Sequence, residues 1–391
     1  MTDREAQHAK FAAHYLPDDL LQRFRERAEV YDRENRFFDE DLAELVDNGY
    51  LTVFVPKEFG GPGLTLGEVS RLQQRLATAA PATALAINMH LMCTGVVRAM
   101  FERDDRSLTY VFDEAMAGEI FAFGVSEPAN DWVLQGSNTV AEPQPDGSYL
   151  LTGVKIFTSL SPVWTRLITH GLDTTDAENP TLVYGFVDRS VAGITVSEQW
   201  DVLGMRASQS RATILENVVM RPERVARRIP TGPQPDLMMF AIASNFQLLI
   251  GSVYAGIARR ALDLGAQALT SRASAKSGTS LAEVPEFRLR LADALMEYMS
   301  VPAQLDVNCR DVDDLADHGA EWPLRLVSAR INACTVARHA TEAAMACVGG
   351  TGFNNSNELS RLLRDAMAGL FHPPSAEAAR PLFAAALLDE R

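Results

Sequence analysis

The order of residue patterns predicts an α+β chain in three parts: an N-terminal helical domain (1–117), a middle β domain (118–228) and a C-terminal helical bundle (229–391). Three observations carry this. Apolar residues recur at helical spacing through the first hundred or so positions. Short runs rich in Phe, Val, Ile and Thr, separated by turns, take over near Ile120, and long apolar helical stretches return from Asp236. A chain of 391 residues with 47% apolar content can divide a large core among two or three such units.

In the first part, Phe37, Phe38, Leu42, Leu45 and Val46 form an apolar stripe that ends at Asn48-Gly49, a helix stop. Leu51 to Val55 leads into Pro56-Lys57-Glu58-Phe59-Gly60-Gly61-Pro62-Gly63. Gly61, Gly63 and Gly67 have the wrong spacing for a dinucleotide fingerprint and a proline stands among them, so this is a structural loop. Leu64 to Phe112 is helical again. His90 lies there within Met89-His90-Leu91-Met92 and reads as a satisfied core group, with a place in a substrate pocket as the alternative.

The middle part reads as strands at Ile120 to Val125, Tyr149 to Thr152, Lys155 to Ser159, Arg166 to Leu172, Leu182 to Val187, Ile194 to Ser197 and Ala212 to Leu215. Asp146-Gly147 between two of these runs is a hairpin signal. The spacing implies a compact all-β domain or barrel that ends near Pro222.

Beyond it, Met239 to Leu269 is apolar nearly all round, as the centre of a bundle requires. Phe287 to Leu305 and Leu324 to Cys347 are further bundle helices, the latter with Pro323 in its first turn. Asp311, Asp313, Asp314 and Asp317 lack the spacing of a calcium loop and read as a solvated helix end. Gly349-Gly350 breaks the next helix. Asn355 then reads as an N-cap with Glu358 completing a capping box, and Leu359, Leu362, Leu363, Ala366, Met367 and Leu370 face a core until Gly369 and Pro373-Pro374 end the element.

A net charge of -15 disfavours an electrostatic grip on nucleic acid or an anionic membrane. No run of eighteen apolar residues escapes interruption by charge or strong polarity, and the N-terminus has no basic stretch leading into an apolar one, so a cytoplasmic location is expected. The four cysteines are far apart and read as reduced core thiols; no metal site is expected. HExxH, P-loop and GxSxG patterns are missing and the seven histidines are scattered.

Four motifs, taken in order from about Leu42 to Ala379, resemble the acyl-CoA dehydrogenase superfamily. Phe123-Gly124-Val125-Ser126-Glu127-Pro128 is similar to its Thr-Glu-Pro strand end, whose hydroxyl and backbone N–H groups bind the pyrimidine edge of a flavin, although Ala129-Asn130-Asp131-Trp132 replaces the usual Gly-Ser turn. Gly153 to Ser161 resembles the next flavin strand, which places Phe157 and Ser159 against the ring. Leu203 to Ser208 resembles a structural signature at the junction with the C-terminal helices. Gly349-Gly350 followed by Arg364-Asp365-Ala366 is similar to the C-terminal domain, where the glycine turn meets the flavin nucleotide of a neighbouring subunit. The resemblance further implies that Arg272 reaches the flavin pyrophosphate across a dimer interface and that Ser375 lies near its phosphates. Ala346 stands where the family usually has a glutamine.

The resemblance implies FAD, or FMN in an oxygenase, and a homo-oligomer, either dimer or tetramer. It also implies a small substrate, CoA- or carrier-linked in a dehydrogenase, with an electron-transfer flavoprotein or a flavin reductase as redox partner. One position departs from it. Pro373-Pro374 occupies the place of the dehydrogenases' catalytic glutamate, with His372 just before, and the alternative glutamate position on the long helix falls near Phe246, between Asn245 and Gln247. His372 is thus the candidate catalytic residue, as a displaced base in an atypical acyl-CoA dehydrogenase or as the histidine that assists reduced flavin and dioxygen in a two-component monooxygenase. It equally reads as a cap on the last turn of its helix in a relative without catalytic activity.

Overall fold

Six helices precede the first strand in the computed structural model, which describes residues 3–389 apart from Asp131 and Val133. They are α1 (Asp3–Tyr15), α2 (Asp18–Glu34), α3 (Asp39–Asp47), α4 (Leu66–Ala77), α5 (Pro81–Phe101) and α6 (Tyr110–Met116). Phe37, Phe38, Leu42 and Leu45 are buried as their spacing requires, whereas Val46, at the rim of that stripe, is 48% exposed. α4 begins with a full capping box between Thr65 and Glu68.

The sheet follows the order β6-β7-β3-β2-β4-β5-β8, with β1 paired to β4. Its strands are β1 (Phe121–Gly124), β2 (Val140–Pro143), β3 (Tyr149–Lys155), β4 (Arg166–Asp173), β5 (Thr181–Asp188), β6 (Ile194–Val196), β7 (Thr213–Met220) and β8 (Val225–Pro230). β1 runs parallel to Arg166–Thr169 of β4, and β2 meets the same strand farther along at Leu172. Asp146-Gly147 closes the β2–β3 hairpin, with Gly147 at φ 86°. Three expectations need correction here. β2 is a four-residue strand, Val-Ala-Glu-Pro, too short to announce itself; the sheet extends through β8 to Pro230 and does not stop near Pro222; and the run from Lys155 to Ser159 is no strand. β3 ends at Lys155 because the chain then turns through positive φ at Phe157 and Leu160.

The C-terminal part holds α7 (Leu237–Thr270), α8 (Pro285–Asp313), α9 (Trp322–Val348), α10 (Glu358–Met367) and α11 (Ala376–Leu388). The first three are the long bundle helices, and α10 packs against α9 and α7 as the short fourth member. α5 and α7 reach the length and apolarity of membrane spans, with mean hydropathies of 1.4 and 1.5. Both spend that character on the interior, since 89% and 72% of their apolar windows are buried.

The acidic segment at the end of α8 is not simply solvated. Asp313 accepts the Leu66 and Gly67 amides, each at 2.9 Å, and pairs with Arg98 at 3.1 Å, so a carboxylate from the bundle serves the positive end of α4. Asp311 pairs with Arg325 at 2.6 Å. The N-cap of α10 is Asn357, not Asn355: its side chain accepts the Leu359 amide at 3.0 Å. With Asn357 as N-cap, Glu358 stands at N1 and not at the N3 position of a capping box, and its carboxylate is held instead by Arg260 of α7 at 2.6 and 2.8 Å. Leu359, Leu362 and Ala366 are buried, Leu370 is 47% exposed, and Arg361 and Asp365 share the buried face.

α10 also fastens the three parts together. Arg364 grips both carboxylate oxygens of Asp32 in α2, and Asp365 accepts the Met205 amide at 2.5 Å. Gly204 passes so near that a Cβ there would lie 2.0 Å from the Arg364 carbonyl oxygen. Leu203 to Ser208 is therefore the junction that its sequence implied. The four cysteines are free and buried.

Candidate flavin site

β1 delivers Val125 and Ser126 to the rim of the sheet. Val125 is buried and Ser126 is half-buried, with a hydroxyl that makes no hydrogen bond among the described residues. The Ile156 amide donates to the Ser126 carbonyl at 2.8 Å, which holds the turn after β3 against the end of β1.

That turn presents Phe157. Its backbone sits at φ 56°, a region that costs a non-glycine residue roughly 1–2 kcal/mol. The residue is 56% exposed, and the one aromatic ring it meets among the described residues is Trp200, edge-on at 6.4 Å. An aromatic ring held in a strained backbone and left open to one side has the form of a platform for a planar ligand. Ser159 is buried in a hydroxyl chain, 2.7 Å from Ser210, which is 2.8 Å from Ser208.

Beneath this rim lies a buried ion pair that the sequence did not announce. Lys155 Nζ donates to Glu127 at 2.5 Å and to the His170 carbonyl at 2.7 Å. Glu127 also accepts from Ser137, Asn138, Thr139 and Asn130, so one carboxylate organises the loop between β1 and β2. Burial works to raise its pKa, but the Lys155 ammonium and these donors outweigh it and bring it to about 2. Asp131, in this loop, lies outside the described residues.

Gly349 and Gly350 follow the end of α9. Gly349 adopts φ 77° and ψ −158°, a conformation left to glycine, and a Cβ at either position would meet nothing within 4 Å. Arg272 donates to the Val348 carbonyl at 2.7 Å, so the arginine and the glycine turn stand together on an exposed end of the bundle. Ser375 caps α11 by accepting the Ala378 amide at 3.2 Å.

His372 does not cap its own helix. Its Nε2 lies 2.7 Å from the Tyr254 hydroxyl, and its ring meets the rings of Tyr254 and Phe246 nearly edge-on. The next two residues are gripped by their carbonyls. Gln247 donates to Pro373 O at 3.0 Å, and Arg330 donates both to Gln247 at 2.7 Å and to Pro374 O. Arg330 is buried and has no carboxylate partner among the described residues. Burial, reinforced by the Arg330 charge, holds the His372 imidazole down to about 3, so it is neutral at physiological pH. Of these partners the sequence names Phe246 and Gln247, by their position and without a role. Arg330 is one of three arginines in α9, and nothing in the local sequence sets it apart from Arg325 and Arg338.

His90 is the core group expected, with Nε2 2.8 Å from the Leu51 carbonyl and Nδ1 accepting the Phe121 amide at 3.1 Å.

The predicted residues thus form three groups: Val125, Ser126, Phe157 and Ser159 at the sheet rim; His372 and Ser375 at the proline corner; and Arg272 with Gly349 and Gly350 at the far end of α9. Arg330, in the corner, and Val348, at the turn, are about 27 Å apart along α9 at 1.5 Å per residue. An open aromatic, a free hydroxyl and an exposed glycine turn beside a cation match the ring, the pyrimidine edge and the phosphate of a flavin.

Helices, sheet and bundle in this order, with such a rim, define the class as a flavin-dependent oxidoreductase of the acyl-CoA dehydrogenase type. The acyl-CoA dehydrogenase N-terminal domain matches residues 18–101 and the acyl-CoA dehydrogenase C-terminal domain matches residues 248–374, together more than half of the chain. The chain belongs to this superfamily. L-evernosamine nitrososynthase of Micromonospora sp. is 27% identical over 368 residues, covering 91% of this chain and 84% of that protein. Putative acyl-CoA dehydrogenase YdbM of Bacillus subtilis is 24% identical over 363 residues, covering 92% of each. The structure of KijD3 with FMN and a dTDP-linked 3-amino-4-keto sugar superposes with a TM-score of 0.84 at 24% identity, covering 100% of this chain and 95% of that one.

Proposed function

We propose that this chain is the oxygenase component of a two-component flavin monooxygenase, using reduced FMN and dioxygen to oxidise an amine or another heteroatom of a small substrate. The observation that carries this reading is the proline corner. The dehydrogenase reaction needs a base with a pKa near the operating pH to take an α-proton. Here the position is filled by Pro373, the neighbouring amide is Gln247, and the His372 imidazole is held near 3, too weakly basic for that task. The similarity to nitrososynthases supports the same branch.

Reduced flavin, when bound, supplies two electrons to dioxygen, so that one oxygen atom enters the substrate and the other leaves as water. The Ser126 hydroxyl and Val125 amide would hold the pyrimidine edge of that flavin, Phe157 would cover its ring, and Ser375 would serve its phosphate. Arg272 and Gly349-Gly350 stand about 27 Å along α9 from the proline corner, and we assign them to the flavin of a second copy of the chain. The exposed Leu289, Met296 and Met299 on one side of α8 suit such an assembly. A flavin reductase is the implied redox partner.

The test supplies FMN, NADH and an unrelated flavin reductase to the purified protein with panels of amino sugars, simple amines and thioethers. Oxygen uptake coupled to an N- or S-oxidised product is expected. Anaerobic bleaching of bound flavin by an acyl-CoA, at a rate that matches turnover, overturns the proposal in favour of the dehydrogenase branch.

A further inference from the structure

We infer that Tyr254 is a positioning residue that fixes His372 as its Nδ1–H tautomer, so that the histidine offers a hydrogen-bond donor, and not a free lone pair, on its open side. The inference deepens the reading above and rests on it for its catalytic meaning.

The assignment comes from accounting for one proton. Tyr254 is fully buried, and its only hydrogen-bond partner among the described residues is His372 Nε2, at 2.7 Å. A phenol in that setting stays protonated, since burial raises it well above its ordinary value. If Nε2 carried a proton and donated it to the tyrosine, the phenolic O–H would be left buried without an acceptor, an arrangement folded proteins avoid. The hydroxyl therefore donates, Nε2 accepts, and the single proton of the neutral ring resides on Nδ1. Nδ1 has no partner among the described residues, and His372 is only half-buried, so this N–H is available to whatever enters the site.

The surroundings keep the ring in this state. Arg330 places a buried positive charge nearby and so opposes the imidazolium; the other titratable groups that act on Tyr254 are Cys334, a buried neutral thiol, and Asp365, whose negative charge also favours the protonated phenol. Gln247 and Arg330 anchor the Pro373 and Pro374 carbonyls, which fixes the main chain on which the ring is mounted. The ring cannot turn over to exchange its nitrogens without breaking the tyrosine bond. A neutral Nδ1–H donor suits stabilisation of negative charge that develops on an acceptor in the site.

The experiment labels the histidines with 15N and records two-bond 15N–1H correlation spectra of the full-length protein at pH 7, with His372→Gln identifying the signal. Neither flavin nor substrate is required. The expected pattern shows Nε2 as the bare nitrogen and Nδ1 as the protonated one, with no change to imidazolium at pH 5. Tyr254→Phe, which keeps the ring that packs against His372, is expected to abolish the fixed pattern and to lower kcat about ten-fold with reduced FMN, the scale of one hydrogen bond, with KM little changed. An Nε2–H tautomer, an imidazolium at pH 7, or an unaltered spectrum in Tyr254→Phe overturns the inference. Each of these results leaves the flavin reading standing, because that reading is decided separately by FMN-dependent oxygen uptake.

Discussion

Lys155 and Glu127 seal a charge pair away from water directly beneath Ser126, with side-chain exposures of 0% and 1%. Removing one partner of such a pair strands the other. Lys155→Met is therefore expected to cost about 3–5 kcal/mol, measured by chemical denaturation at pH 7, and to loosen the loop that Glu127 organises. Glu127 is depressed below its unfolded value, so its contribution is present above the ordinary carboxylate range and is lost as pH falls toward 2. The variant should show a weakened acid dependence in that window. Residues of this kind mark the limit of sequence reading. Ser126 was legible because its motif is contiguous, whereas Tyr254 and His372 are 118 positions apart and Gln247 and Arg330 are 83 apart. Nothing local to either partner announces such a bond.

Among the elements, α10 shows what a pattern can and cannot reveal. Its apolar spacing correctly marked Leu359, Leu362 and Ala366, but the same face buries Asp365, a carboxylate that binds a loop amide. Burial raises Asp365 to about 6 despite the opposing Arg361 charge. The sign then follows: between roughly pH 4 and 6 the folded chain holds more protons than the unfolded chain, so stability contributed by this group declines as pH rises through that window. Asp365→Asn keeps an oxygen for Met205 while removing the titration. It should flatten the dependence of stability on pH between 4 and 6, as read from denaturation midpoints across that range, and an unchanged slope would refute the assignment. Long helices such as α7 and α9 were legible because apolar residues repeat for many turns. The end of β3 was not, since Phe157 looks like a strand residue and its positive φ is imposed by the contacts of the turn.

Across the whole molecule, the order of helices, sheet and bundle was readable from the spacing of apolar residues and turns, but the division of the cofactor site was not. The proline corner and the glycine turn of one chain lie about 27 Å apart along α9, and α8 leaves Met296 72% and Met299 64% exposed. We expect sedimentation to show a dimer or larger assembly, and Met296→Glu with Met299→Glu to shift it toward monomer with weakened FMN binding. A monomeric wild-type protein that binds FMN at full strength would remove the second copy from the site.

The clamp at Pro373 and Pro374 takes hold of peptide oxygens, which all twenty amino acids possess. Anchorage and reactivity are consequently separable traits at this corner: a descendant gene can exchange the side chain at 373 while the attachment to α7 and α9 persists. Divergence of reaction type within one scaffold then requires few mutational steps, and a carboxylate placed at this position is the shortest path toward proton abstraction.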